Sequence, residues 1–192
     1  MPRCPFPKSD AAGTGQVVWC LSIAQPWASL IVHGLKTAKV SDKPFKFRGR
    51  ILIYASQLIT RTTRLALEDN EIQWALRKIG LPPQPMAKTG MHENTPFKGV
   101  IGSVELTSVY RSPYYPSPVS TVQKSWPIAG KNVLREQQHY GDMTPGAFIW
   151  TFSRAMATKQ AIRIPSLPAM FRVPQQSLTE ELLELAGLTR NE

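Results

Sequence analysis

Apolar residues in this chain come in short runs set apart by polar and turn-forming segments. Val17 to Ile23 is a continuous β-branched and aromatic run, which predicts a buried strand. Gln25-Pro26 then opens a helix, because proline at the first helical position lacks an N–H that would have had no partner there. Ala28, Leu30, Ile31 and Leu35 supply its apolar face and Gly34 is its stop. A basic loop follows, and after it an apolar strand over Arg50 to Ala55. From Thr60 to Ile79, Leu65, Ile72, Leu76 and Ile79 recur at helical spacing with Trp74 near that face, so the spacing predicts one helix.

The second half reads mainly as strands. Leu81 to Phe97 holds prolines and glycines and reads as a loop, and Gly99 to Val109 as a strand with a bulge at Gly102. Residues 111–145 form a long Pro- and Tyr-rich excursion with a short helix near Asn132–His139. Ala147 to Phe152, Ala161 to Ile164 and Met170 to Val173 are strands, the last two separated by Pro165 and Pro168. Leu178 to Leu188 is an amphipathic helix, opened by Ser177 or Thr179 and stopped near Gly187. Residues 1–16 read as a flexible tail, 17–175 as one domain and 176–192 as a helical extension. Short strands with few helices predict an α+β fold, a small mixed sheet or β-barrel with flanking helices rather than a doubly wound sheet.

Charge sharpens this picture. The 192 residues carry 23 Lys plus Arg against 13 Asp plus Glu, a net charge of +10 with a pI near 9.9. Nucleic acid, a nucleotide or another anionic surface is the leading class of partner. Cys4 and Cys20 are the two cysteines. No CxxC pair and no zinc-like Cys/His spacing occur, so neither a metal nor a cofactor is expected. Cys20 reads as a small buried hydrophobe, which suits a reducing cytoplasm. Met1 to Gly15 lacks the apolar stretch of a secretion signal, and no run is long enough to span a membrane.

Lys36, Lys39, Lys43, Lys46, Arg48 and Arg50 fall in one segment with Asp42 alone opposing them. The segment is pinned between a helix and a strand, and a fixed loop of positive potential suits a phosphate or another anion as well as a solvated surface.

Six stretches carry a resemblance. Leu21-Ser22-Ile23-Ala24-Gln25-Pro26-Trp27-Ala28-Ser29-Leu30-Ile31 followed by Gly34-Leu35-Lys36-Thr37, then Phe47 to Ser56, resembles the opening of an ASCH domain. Gly99 to Leu106, Pro145 to Trp150 and Phe171 to Pro174 are similar to its later strands, so the resemblance covers residues 17–174. It implies a PUA-like β-barrel with flanking helices, and RNA or nucleotide binding or, in some branches, hydrolysis of acylated cytidine. It also implies a cleft between the first helix and the barrel, lined by the segment after the helix. There the family pattern reads Gly-x-Lys-Thr-x-Glu-x-Arg. This chain keeps Gly34, Lys36 and Thr37 but has Lys39 in place of the Glu and Ser41 in place of the Arg, and Ala24 stands where an Arg often precedes Gln-Pro-Trp.

Candidate ligand-binding residues are accordingly Gln25, Trp27, Lys36, Lys39, Ser41, Lys46, Arg48 and Arg50. Trp27 either stacks a base or anchors the helix in the core, and Gln25 either reads a base edge or holds the loop. If the protein is an enzyme, Lys36 is the base or nucleophile activator, Thr37 a positioning group and Glu105 the replacement acid. Tyr110, Tyr114 and Tyr115 form either a stacking flap or a packed loop, and His33, His92 and His139 lack a partner pattern. The missing acid favours RNA or nucleotide binding over a hydrolase of a modified nucleoside or of RNA. A protein-interaction module of a transcriptional coactivator type is the third reading.

Overall fold

The computed structural model describes residues 17–59, 61–84, 88–112, 148–165 and 169–188. The expected tail, the Asn132–His139 helix, Tyr114, Tyr115 and His139 lie outside them. Six strands, β1 (Val17–Ala24), β2 (Ala38–Ser41), β3 (Gly49–Ser56), β4 (Gly99–Arg111), β5 (Phe148–Ile162) and β6 (Met170–Pro174), join one sheet in the order β2-β5-β4-β3-β1-β6. Among the described strands, only β1 and β3 pair in parallel. Helices α1 (Trp27–Val32), α2 (Arg61–Glu68) and α3 (Asn70–Lys78) belong to one core, and α4 (Glu180–Leu185) to another. No described helix is long and apolar enough to cross a membrane.

The fold is therefore mixed α+β. Among the described residues the sheet is open, with β2 and β6 as its ends, and main-chain pairing does not close the expected barrel. An aromatic cluster instead bridges β1 and β5, which are not neighbours in the sheet. Phe45, from the loop before β3, stacks on Trp150 of β5 at 5.5 Å and meets Trp19 of β1 edge-on at 4.8 Å.

Side-chain alternation along β1 and β3 separates the two cores. Leu21, Ile23, Ile51 and Ile53 face α1 and the α2–α3 pair, while Val18, Cys20, Leu52 and Tyr54 face Leu182, Leu183 and Leu185 of α4. Thr179 caps α4 by accepting the Leu182 N–H at 3.4 Å. Cys20 is fully buried, and burial pushes its thiol pKa well above the ordinary value.

Three elements differ from the sequence expectation. The helix expected over 60–79 is two helices, because Asp69 accepts the N–H groups of Glu71 at 2.8 Å and Ile72 at 3.1 Å and so starts a second one. That break moves the buried face to Ala66, Leu67, Ile72, Ala75 and Leu76 and leaves Leu65 and Trp74 more than half exposed. The strands expected at 147–152 and 161–164 are one strand, β5, whose polar middle is largely exposed and so lacks an apolar signal. Part of the expected basic loop is β2, where only Ala38 and Val40 pack inward, against Ile149 and Tyr110. The bulge expected at Gly102 is present: Ile53 faces Gly102 while Tyr54 faces Val100, leaving Ile101 unopposed.

Candidate functional site

Helix α1 ends as its sequence predicts, and the way it ends decides where Lys36 goes. Gly34 adopts φ +72 and donates to Ile31 O at 3.0 Å, while the Leu35 N–H reaches Leu30 O at 2.9 Å. This is a Schellman turn, which glycine enters without a Cβ penalty. The Lys36 N–H also donates to Leu30 O, at 3.0 Å, so the chain folds back beneath the helix it has just left. Lys36 is only 1% exposed, and its ammonium rests 5.6 Å from the centroid of the Trp27 ring. The lysine expected in the cleft is thus buried among the described residues against Trp27, itself 7% exposed.

Gln25 is also internal. Its Nε2 donates to Pro96 O at 2.8 Å, and its Oε1 accepts the Ser29 N–H at 3.1 Å. The side chain thereby caps α1 and ties down the loop before β4, so both ends of the amide are already engaged. Gln25→Leu is expected to destabilise the protein by about 2–3 kcal/mol, since it leaves a buried N–H and a carbonyl without partners. A fall in the urea midpoint at unchanged m would register this.

The remaining candidates spread over the loop and both faces of the sheet. The Thr37 carbonyl accepts the Phe152 N–H at 2.7 Å, a main-chain role. Lys39, half-buried opposite Trp150, donates from Nζ to Val40 O at 2.7 Å, and Ser41 Oγ lies 3.4 Å from the Lys43 N–H. Lys43 and Lys46 are exposed. Arg48 uses Nη1 to hold the carbonyls of Phe45, at 2.6 Å, and Phe47, at 2.7 Å, while its outer surface stays in water. Partial burial lowers its pKa from the ordinary value and Tyr110 works in the opposite direction, so it remains a cation at neutral pH. Trp150 donates its indole N–H to Lys43 O at 3.1 Å. The basic loop is therefore a fixed surface: its aromatic residues and carbonyls are anchored, and Lys43, Lys46 and Arg48 project.

Glu105 does not join Lys36. It lies directly opposite Arg50, whose Nη1 donates to Ser103 Oγ at 3.2 Å and to Arg154 O at 2.7 Å. Arg50, Leu52, Ser103 and Glu105 share the sheet face that α4 covers, whereas Trp27 and α1 lie on the other face. Glu105 instead pairs with Arg154 at 3.2 Å, a partly exposed bridge of small energetic value. Among the described residues, no group of three His, Cys, Asp or Glu side chains could hold a metal ion.

Among the described residues, two cavities lie elsewhere, and no sequence motif points to either. One, of about 760 Å³, opens at the ends of β1 and β3 beside Ser22, Tyr54, Ser56, Lys98 and Arg163. The other, of about 600 Å³, lies between α1, the loop before β4 and the second half of β5, and Arg163 lines it too. Lys36 lines neither. The cavity residues are far apart in sequence, so no local pattern could have joined them.

No protein-family model matches the chain, and no curated protein matches it. Solved structures similar to it include that of ASCH from Zymomonas mobilis, at 14% identity and a TM-score of 0.44, covering 88% of this chain and 96% of that one. Two single-substitution variants of that protein match at 14% identity with TM-scores of 0.43 and 0.44, covering 87% of this chain and 94% and 96% of theirs.

Proposed function

We propose that this chain is an ASCH-type domain, barrel-like in its curvature, that binds RNA or a nucleotide through its anchored basic loop. The observation that carries this reading is the fixation of that loop. Phe45 and the Lys43 carbonyl are locked onto Trp150, so Lys43, Lys46 and Arg48 offer positive charge at little ordering cost. The family resemblance and the net charge of +10 point the same way. Such contacts go to phosphate and are blind to base identity. A hydrolase pairing Lys36 with Glu105 is the weaker reading, since the ammonium lies in the α1 core and the carboxylate on the other face of the sheet.

Titration of short single-stranded RNA across salt concentrations tests the proposal. Lys43→Glu with Lys46→Glu is expected to weaken binding at least tenfold for all sequences alike, and to lower the slope of log affinity against log salt by about 2. Unchanged affinity in this double variant would assign the loop to solvated surface.

A further inference from the structure

We infer that the cavity of about 600 Å³ behind α1 is a second site, built for a small hydroxylated phosphomonoester of the sugar-phosphate or mononucleotide kind. Its most informative atoms are two hydroxyls. Ser29 Oγ and Thr158 Oγ1 are both buried, have no hydrogen-bond partner among the described residues, and belong to residues that line the cavity. Ser29 is 1% exposed and sits on a helix whose other polar groups there are engaged: its N–H meets Gln25 and its carbonyl accepts from His33 Nδ1 at 2.8 Å. Buried hydroxyls in native proteins are ordinarily bonded, so two left open at one cavity point to a polar guest.

The charge around the cavity selects the guest. Lys159 and Arg163 line it, neither carries an ion pair among the described residues, and no described lining residue is acidic. His33 commits Nδ1 to the Ser29 carbonyl, which leaves Nε2 for a ligand. Arg163 offers the planar fork suited to a phosphate, and Asn94 and Gln160 add neutral donors and acceptors. Phe97 and Ile101 give an apolar wall against which a sugar or base face can lie. The volume falls within the range of small-molecule sites.

This site is distinct from the basic loop. The loop packs on Trp150 near the start of β5, whereas Thr158, Lys159 and Arg163 belong to its far end and the residue beyond it. The two readings therefore fail separately.

Calorimetric titration of the full chain at constant ionic strength tests the inference. The probes are ribose 5-phosphate, the four ribonucleoside 5′-monophosphates, the matching nucleosides and inorganic phosphate. At least one phosphomonoester is expected to bind tenfold or more tightly than inorganic phosphate and than its own dephosphorylated form. Preference for a mononucleotide over ribose 5-phosphate assigns the apolar wall to a base, and equal binding assigns the site to the sugar phosphate. Lys159→Ala with Arg163→Ala, both at exposed positions, should weaken binding at least tenfold. Ser29→Ala should weaken it severalfold without lowering the melting temperature, because its hydroxyl bonds no described residue. Lys43→Glu with Lys46→Glu should leave it unchanged. Failure of every phosphomonoester to exceed inorganic phosphate, or binding that survives loss of Lys159 and Arg163, would overturn the inference.

Discussion

Trp150→Ala is expected to destabilise the protein by about 3–5 kcal/mol, the usual range for deleting a buried large aromatic side chain. Trp150 is 4% exposed, stacks on Phe45, and lies in β5 between Lys39 of β2 and Val109 of β4. Its indole N–H also holds the Lys43 carbonyl at 3.1 Å. Truncation opens a cavity in the larger core and releases the basic loop, with net charge unchanged. Under conditions where the variant stays folded, RNA affinity should therefore fall by about tenfold through the added cost of ordering the loop. Trp150→Phe keeps a ring for Phe45 and loses only the N–H donor, so about 1 kcal/mol is expected. Urea unfolding and RNA titration of both variants check this. An alanine variant within 1 kcal/mol of the parent would remove the aromatic cluster as the loop's anchor.

Gly102→Ala is expected to destabilise by about 3 kcal/mol or more, at the upper end of what overpacking produces. A Cβ at Gly102 would collide with the Met156 carbonyl oxygen and stand 2.7 Å from Val32 Cγ1. Val32 could shift with α1, but a main-chain oxygen of the adjacent strand cannot turn away as a side chain can. The glycine thus lets β5 and α1 approach β4 closely on one side. Adding Val32→Ala should recover only part of the loss, and the two substitutions should couple rather than add. Full recovery in the double variant would show that the side-chain contact alone mattered.

The residues that place Lys36 were readable and its destination was not. Gly34 announced the end of α1, and a Schellman turn follows from glycine's freedom at positive φ. That the turn carries the lysine into the core against Trp27 depends on packing, which spacing does not encode. Glu105 shows the same limit. Its place in the strand from Gly99 to Val109 was visible, but which face of the sheet was covered by α1 depended on the β3–β4 register and on both cores. Gln25 had two open readings, and spacing could not show that its amide bonds Pro96 and Ser29.

The sequence alone determined the buried strands β1, β3, β4 and β6, the glycine stops of α1 and α4, the Gly102 bulge, the burial of Cys20 and the concentration of charge around the loop before β3. Each is written within a few residues, as an apolar run, a capping side chain, a glycine or a charge cluster. Tertiary structure alone decided the strand order, the division of the 60–79 segment, the length of β5 and the membership of β2. It also gathered Ser29, His33, Asn94, Thr158 and Arg163 around one cavity. The physical reason is that polar strand residues and partnerless hydroxyls have no local signature. Their meaning arises only when distant segments pack and fix which groups water can still reach.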